Sequence, residues 1–392
     1  YMFLEKEGKL IYSYDGETVC IEAWGKDALR VRATKNRSFT GRDWALEAKD
    51  AHAGEVEIFE DPSAKGGAFA NMYEGTDTSY GKITNGKLHA VIDSGSVITF
   101  YHEDGRVLLK EHFRRLRDEE SMPLNIMGRE YSNGVGDNFR IVTRFVARKG
   151  EKIFGMGQYQ QHELDLKGCM LELAQRNSQV SVPFYLSSIG YGFLWNNPGV
   201  GQVMFANNGT EWVTESGKEI DYLVIAGDTP AEIEENYMTL TGKPPMMPEY
   251  GMGFWQCKLR YWNQEQLLSV ARKYKELGVP LDVIVVDFFH WTKQGEFKFD
   301  PKYWPDVPGM CRELKEMGIQ VVVSVWPTVD IYSENFEEMK EKGYLVRTEH
   351  GVPLTMLCGG NEVFFDATNP DARTYVWEKI KKNYYDQGAK LF

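Results

Sequence analysis

The chain has 392 residues, 42% apolar and 26% charged, with a net charge of −12. At roughly 150 residues per domain this length gives two or three domains, each able to bury a core. No run approaches the roughly 18 apolar residues of a membrane span, and no basic stretch suits a phosphate backbone. Membrane and nucleic-acid partners are therefore not expected.

Five cysteines, Cys20, Cys169, Cys257, Cys311 and Cys358, are odd in number and widely spaced. With no CxxC pair they suggest neither a zinc site nor a disulfide framework. They read as reduced, mostly buried thiols, which points to the cytoplasm. The chain opens at Tyr1 rather than Met, and no secretory signal is visible.

Up to about residue 228 the sequence reads as nearly all strand. Short β-branched or aromatic runs at Glu17–Trp24, Ala28–Thr34, Glu55–Phe59 and 87–100 lie between turn residues. Asp104-Gly105 predicts a hairpin turn before Val107. In 139–147 strict alternation puts Phe139, Ile141, Thr143, Phe145 and Ala147 on one face. Further strands are predicted at 180–186, Tyr191–Trp195 and 221–225. So many short strands predict a β-sandwich.

The rhythm then changes. Thr229 with Glu232 three residues on, and Pro230 between them, opens a helix to about Leu240. A Pro-rich connector follows at 242–249. Beyond it strands and helices alternate, with strands at 252–256, Val283–Val286 and 319–325. Val283–Val286 is an unbroken apolar run, as in parallel strands buried on both faces. Helices are predicted after Asn263, with an inner face of Leu267, Val270, Ala271 and Tyr274, at 310–317, at 334–342 and from Pro370 to about Gln387. Residues 389–392 look like the start of another strand. Such βα repeats imply an open α/β sheet or a (β/α)8 barrel.

In both architectures the chemistry sits at the C-terminal strand ends. Those ends here carry Trp255 with Arg260 in the loop beyond it, then Asp287, His290 and Trp291, then Trp326. No glycine-rich phosphate loop follows the first of these strands, so no nucleotide cofactor is implied. Aromatic rings beside carboxylates suit a sugar, whose C–H faces lie on indole while its hydroxyls need hydrogen-bonding partners. Six of the ten tryptophans fall between 255 and 377. Asp287, ending an apolar strand, is the leading ligand contact. Asp366, just before a helix start, suits capping or loop tethering, His290 either a sugar bond or a bridge between loops, and His162 a solvated loop. Asp287, His290 and Asp300 lack HxxxH or HExxH spacing, so no metal is expected.

The ordered motifs FWQCKLRY, VVDFFHW, KFDPKYWPD, VSVWP and FFDATNP, following a sandwich and a Pro-rich connector, resemble family 31 of the glycoside hydrolases. The resemblance implies an N-terminal β-sandwich at 1–241, the connector at 242–249, and an incomplete (β/α)8 TIM barrel at 250–392. It implies no cofactor and a retaining mechanism with two Asp residues, on a small-molecule or oligosaccharide α-glycoside. Asp287 matches the Asp that bonds the terminal sugar's hydroxyls, and Trp326 the aromatic wall of that subsite. Trp291 would crowd the sugar's C5 substituent. The 254–261 loop, with Trp255 and Arg260, would shape the entrance, and the 158–167 loop of the sandwich would reach toward the pocket.

Both catalytic Asp residues are expected beyond Phe392, since 250–392 falls well short of the roughly 250 residues of a whole barrel. The remainder of the barrel would then be required for stability; oligomerisation is left open. The expected activity is exo-acting α-glycoside hydrolysis, leaning to α-xylosidase because a bulky Trp291 leaves little room for a glucose CH2OH. An α-glucosidase or α-transglucosylase is the alternative within the family. A non-catalytic carbohydrate-binding protein is the alternative of another class.

Overall fold

The computed structural model describes residues 2–64, 77–112, 127–348, 350–356 and 361–392. Cys358 lies outside them. The chain divides into two compact units, Tyr1–Pro244 and Pro245–Phe392.

The first unit is antiparallel β structure. Among the described residues a nine-stranded sheet is joined by two five-stranded sheets. The large sheet runs Met2–Lys6, Lys9–Tyr14, Glu17–Trp24, Ala28–Thr34, Ile220–Ala226, Tyr191–Trp195, Val180–Ser187 and Ile153–Gln158, with Ala51–His52 beside Glu17–Trp24. Its central strands are buried on both faces, and alternation explains how. Along Ile220–Ala226, Tyr222 and Val224 enter the main sandwich core, whereas Leu223 and Ile225 meet Ile233 and Leu240 of the helix Pro230–Thr241. Thr229 caps that helix, its hydroxyl accepting from the Glu232 N–H at 3.2 Å. The main core is aromatic: Trp195 stacks on Trp212 at 5.5 Å, and Phe193 on Tyr222 at 5.2 Å.

One predicted run is corrected. Residues 87–100 form two strands, Leu88–Asp93 and Ile98–His102. The Asp93 carboxylate accepts the N–H groups of Gly95 and Val97, and Ser96 takes a φ of 69°, so the chain turns where apolarity alone suggested continuity.

In the second unit, three parallel strands pair in sequence order: Trp255–Gln256, Val283–Val286 and Gln320–Val323. Leu391 adds a parallel bridge to Val322. Between the strands run the helices Gln264–Glu276, capped by Asn263, and Val307–Glu316, capped by Asp306. A short hairpin (Thr328–Asp330 with Glu362–Phe364), the helix Phe336–Glu341 and the Asn369-capped helix Pro370–Asn383 follow the third strand. Ile284, Val286, Val321 and Val323 share one core with Met310, Leu314 and Tyr384.

The first barrel strand is shorter than the predicted 252–256. Glu249–Met252 forms a 3-10 turn instead, with Gly251 N–H bonded to the Pro248 carbonyl at 2.9 Å, leaving two residues to pair.

Candidate functional site

The second barrel strand ends at Val286, and Asp287 follows it directly, half-buried. Its carboxylate is oriented from two sides. Oδ1 accepts the Phe288 N–H at 2.8 Å, and Oδ2 lies 3.5 Å from the Cys257 thiol, in the loop after the first strand. Sulfur is a weak donor, so Oδ2 keeps capacity for a stronger donor such as a sugar hydroxyl. Cys257 is exposed, but partial desolvation of its thiol, then the neighbouring Asp287 charge, pushes it above its usual range.

An aromatic wall stands beside this carboxylate. Phe288 stacks on Trp326 with centroids 5.2 Å apart and planes 18° apart. Trp291 meets Trp326 edge-on at 6.3 Å. Phe289 adjoins this wall, its ring centroid 4.1 Å from that of Phe288 and 6.5 Å from that of Trp291, yet it is 55% exposed, its φ is 64°, and the Arg260 guanidinium lies 5.2 Å from its ring. A left-handed backbone at a bulky residue costs about 1–3 kcal/mol, and such strain clusters at functional sites.

His290 faces inward. It is 2% exposed; Nδ1 bonds the Asp287 carbonyl oxygen at 2.9 Å and Nε2 the Tyr384 hydroxyl at 2.8 Å. Burial pushes its pKa down to about 4, so the ring is neutral at pH 7. Of its two open roles, the bridge is the one this geometry provides.

Among the described residues no ring contact joins Trp255 to the cluster. Its indole N–H donates to the Gly251 carbonyl at 3.2 Å, and its ring is 45% exposed. Asp366 tethers its own loop, accepting from the Thr368 N–H at 2.9 Å and hydroxyl at 2.6 Å. His162 is exposed in the first unit. Among the described residues no three His, Cys, Asp or Glu side chains gather as metal ligands.

The motifs point to Asp287, Trp326, Trp291, His290, Trp255 and Arg260, whereas the contacts of Phe288, Phe289, Cys257 and Trp262 are not evident from them. The aromatic run directly after Asp287 was the available signal for the first two. The Cys257 contact spans thirty residues and had none.

Residues 244–392 match the family model described as the glycosyl hydrolases family 31 TIM-barrel domain, and residues 18–203 the glycosyl hydrolase 31 N-terminal galactose mutarotase-like domain. A protein of Pseudescherichia vulneris, named uncharacterized family 31 glucosidase ORF2, is 43% identical over 99% of this chain and 72% of its own length. The chain belongs to glycoside hydrolase family 31. Alpha-xylosidase A of Aspergillus niger is 31% identical, over 96% of this chain and 51% of its own. The crystal structure of a family 31 alpha-xylosidase from a soil metagenome, complexed with xylose, is 47% identical with a TM-score of 0.87, covering 99% of this chain and 56% of that one. The chain thus spans about half the length of these last two relatives. Family 31 membership accounts for the order of a β-sandwich followed by βα repeats, and it meets the expectation drawn from the motifs.

A separate cavity of about 330 Å³ lies in the first unit, bordered by Glu17, Glu111, Arg129 and Tyr131. Arg129 pairs there with Glu111 and, at 2.9 Å, with Glu17. This buried ion cluster ties three sheets together and lies among residues of the sandwich alone.

Proposed function

We propose that this family 31 chain serves a retaining, exo-acting α-glycosidase whose preferred terminal sugar is α-linked xylose. The observation that carries the reading is the Asp287 carboxylate, oriented at a barrel strand end beside the Phe288–Trp326 stack. Its Oδ2 accepts sugar hydroxyls, and the Trp326 and Trp291 rings cover the apolar C–H edges. Trp291 stands where a CH2OH on C5 would enter, which favours xylose over glucose. Discrimination over one such substituent is worth about 1–3 kcal/mol, so the preference is graded.

Hydrolysis with retention needs two carboxylates about 5–5.5 Å apart, one attacking the anomeric carbon and one protonating the leaving oxygen. Asp287 takes neither part: its place is the hold on the glycone. Asp366 is committed to its loop. Glycosyl transfer between carboxylates asks for no cofactor.

Support for xylose comes from the xylosidase names of two relatives. A second reading, α-glucosidase, is favoured by the glucosidase name of the Pseudescherichia protein. Proton NMR of the first product released by the full-length gene product from an aryl α-xyloside tests the mechanism. Initial release of the α-anomer supports it; initial release of the β-anomer contradicts retention.

A further inference from the structure

In the loop after the first barrel strand, the Arg260 guanidinium carbon lies 3.6 Å from the Trp262 ring centroid and 5.2 Å from that of Phe289. Both rings are open to solvent, Trp262 at 60% and Phe289 at 55% exposure. A guanidinium resting on aromatic faces is held flat while its in-plane N–H groups stay free to donate. Among the described residues no carboxylate or carbonyl accepts from Arg260, and Lys258, two residues earlier, has no ion pair. Among the described residues these two cations of one loop thus have no ion-pair partner, in a chain whose net charge is −12.

The loop's position gives these cations a direction. Cys257 contacts Asp287, and Phe289 lies two residues past Asp287. The platform therefore borders the rim of the sugar site rather than its floor. A group at that rim belongs to whatever the terminal sugar is attached to.

We propose that Arg260, braced by Trp262 and Phe289, forms an aglycone site for a carboxylate-bearing group, such as a uronic acid unit next to the terminal sugar. The fork of N–H donors matches a carboxylate in two parallel hydrogen bonds, and a sugar or aryl face of the aglycone lies over the exposed indole. This inference rests on the glycosidase reading for its substrate but not for its binding event.

The test uses the full-length gene product and two matched α-xylosides, one with a carboxylate on its aglycone and one with the corresponding amide. The carboxylate is expected to be favoured about tenfold in kcat/KM, mostly through KM, as charge-assisted bonds of this type allow. Arg260→Gln abolishes that preference, and Arg260→Lys, lacking the fork, keeps only part of it. Equal kcat/KM for the two substrates, or a preference surviving in Arg260→Gln, overturns the proposal. If neither is turned over, the glycosidase reading fails. The site is then judged by tryptophan fluorescence titration with glucuronate and with glucose. Binding of glucuronate alone, lost in Arg260→Gln, supports it; indistinguishable titrations overturn it.

Discussion

The Cys257 thiol lies 3.5 Å from Oδ2 of Asp287, so the loop after the first barrel strand touches the carboxylate that ends the second. The contact makes Cys257 a reporter on Asp287. Partial desolvation and the Asp287 charge both favour the protonated form of the thiol. Its alkylation by a small maleimide is therefore slow at pH 7 and accelerates only in the alkaline range, because the thiolate is the reacting species. Asp287→Asn removes the charge, lowers the thiol's pKa and speeds alkylation at pH 8. Mass spectrometry of the Cys257 peptide over time reads this directly; an unchanged rate contradicts the contact. Cys20 and Cys311 are buried, each pushed up to about 11, and are expected to stay unmodified in the native protein.

The same substitution tests the hold on the sugar. Hydrogen bonds to a charged group are worth about 1.5–3 kcal/mol each, so Asp287→Asn is expected to lower kcat/KM about 100-fold. Asp287 is half-buried and lies outside the apolar core, so the melting temperature should stay nearly constant. A large loss of melting temperature would instead assign the residue a structural role.

Trp326→Ala strips the face on which Phe288 stacks. Aromatic pairs contribute about 0.5–1.5 kcal/mol beyond area burial, and the sugar's stacking surface goes with them. KM for the α-xyloside is expected to rise about tenfold, with a smaller effect on kcat. Trp255→Ala, which removes a half-exposed ring whose N–H bonds the Gly251 carbonyl, serves as the comparison and should change KM less.

His290 makes the second unit sensitive to acid. Its folded pKa of about 4 lies below the ordinary 6.5, so the unfolded chain takes up the proton first. The stabilisation is complete above pH 6.5 and is lost as pH falls toward 4, amounting to on the order of 2–3 kcal/mol between pH 7 and 4.5. Thermal melts at those two pH values should show a smaller difference in His290→Gln than in the unaltered protein. Tyr384→Phe leaves Nε2 without its partner and should destabilise at both pH values by about 1–3 kcal/mol.

Much of the scaffold was legible because local chemistry decided it. The apolar run Val283–Val286 forms a strand with those bounds, and Asn263 and Thr229 cap the helices they announce. Boundaries failed where a backbone turn overrode apolarity, at Asp93–Ser96 and again at Glu249–Met252. The missed helix start before Met310 belongs to Asp306, whose carboxylate accepts the Gly309 N–H at 2.9 Å. Within the site, the residues at strand ends were readable from position alone. Their partners were not: Tyr384 reaches His290 across ninety-four residues, and no spacing rule announces that distance.

Asp287, Trp326 and Trp291 are proposed to form a pocket for a terminal α-xylosyl unit. The most direct measurement is kcat/KM of the full-length gene product on 4-nitrophenyl α-xyloside and 4-nitrophenyl α-glucoside. A higher value is expected for the xyloside, with the gap narrowing in Trp291→Ala as room opens for CH2OH. A higher value for the glucoside, or no turnover of either, contradicts it.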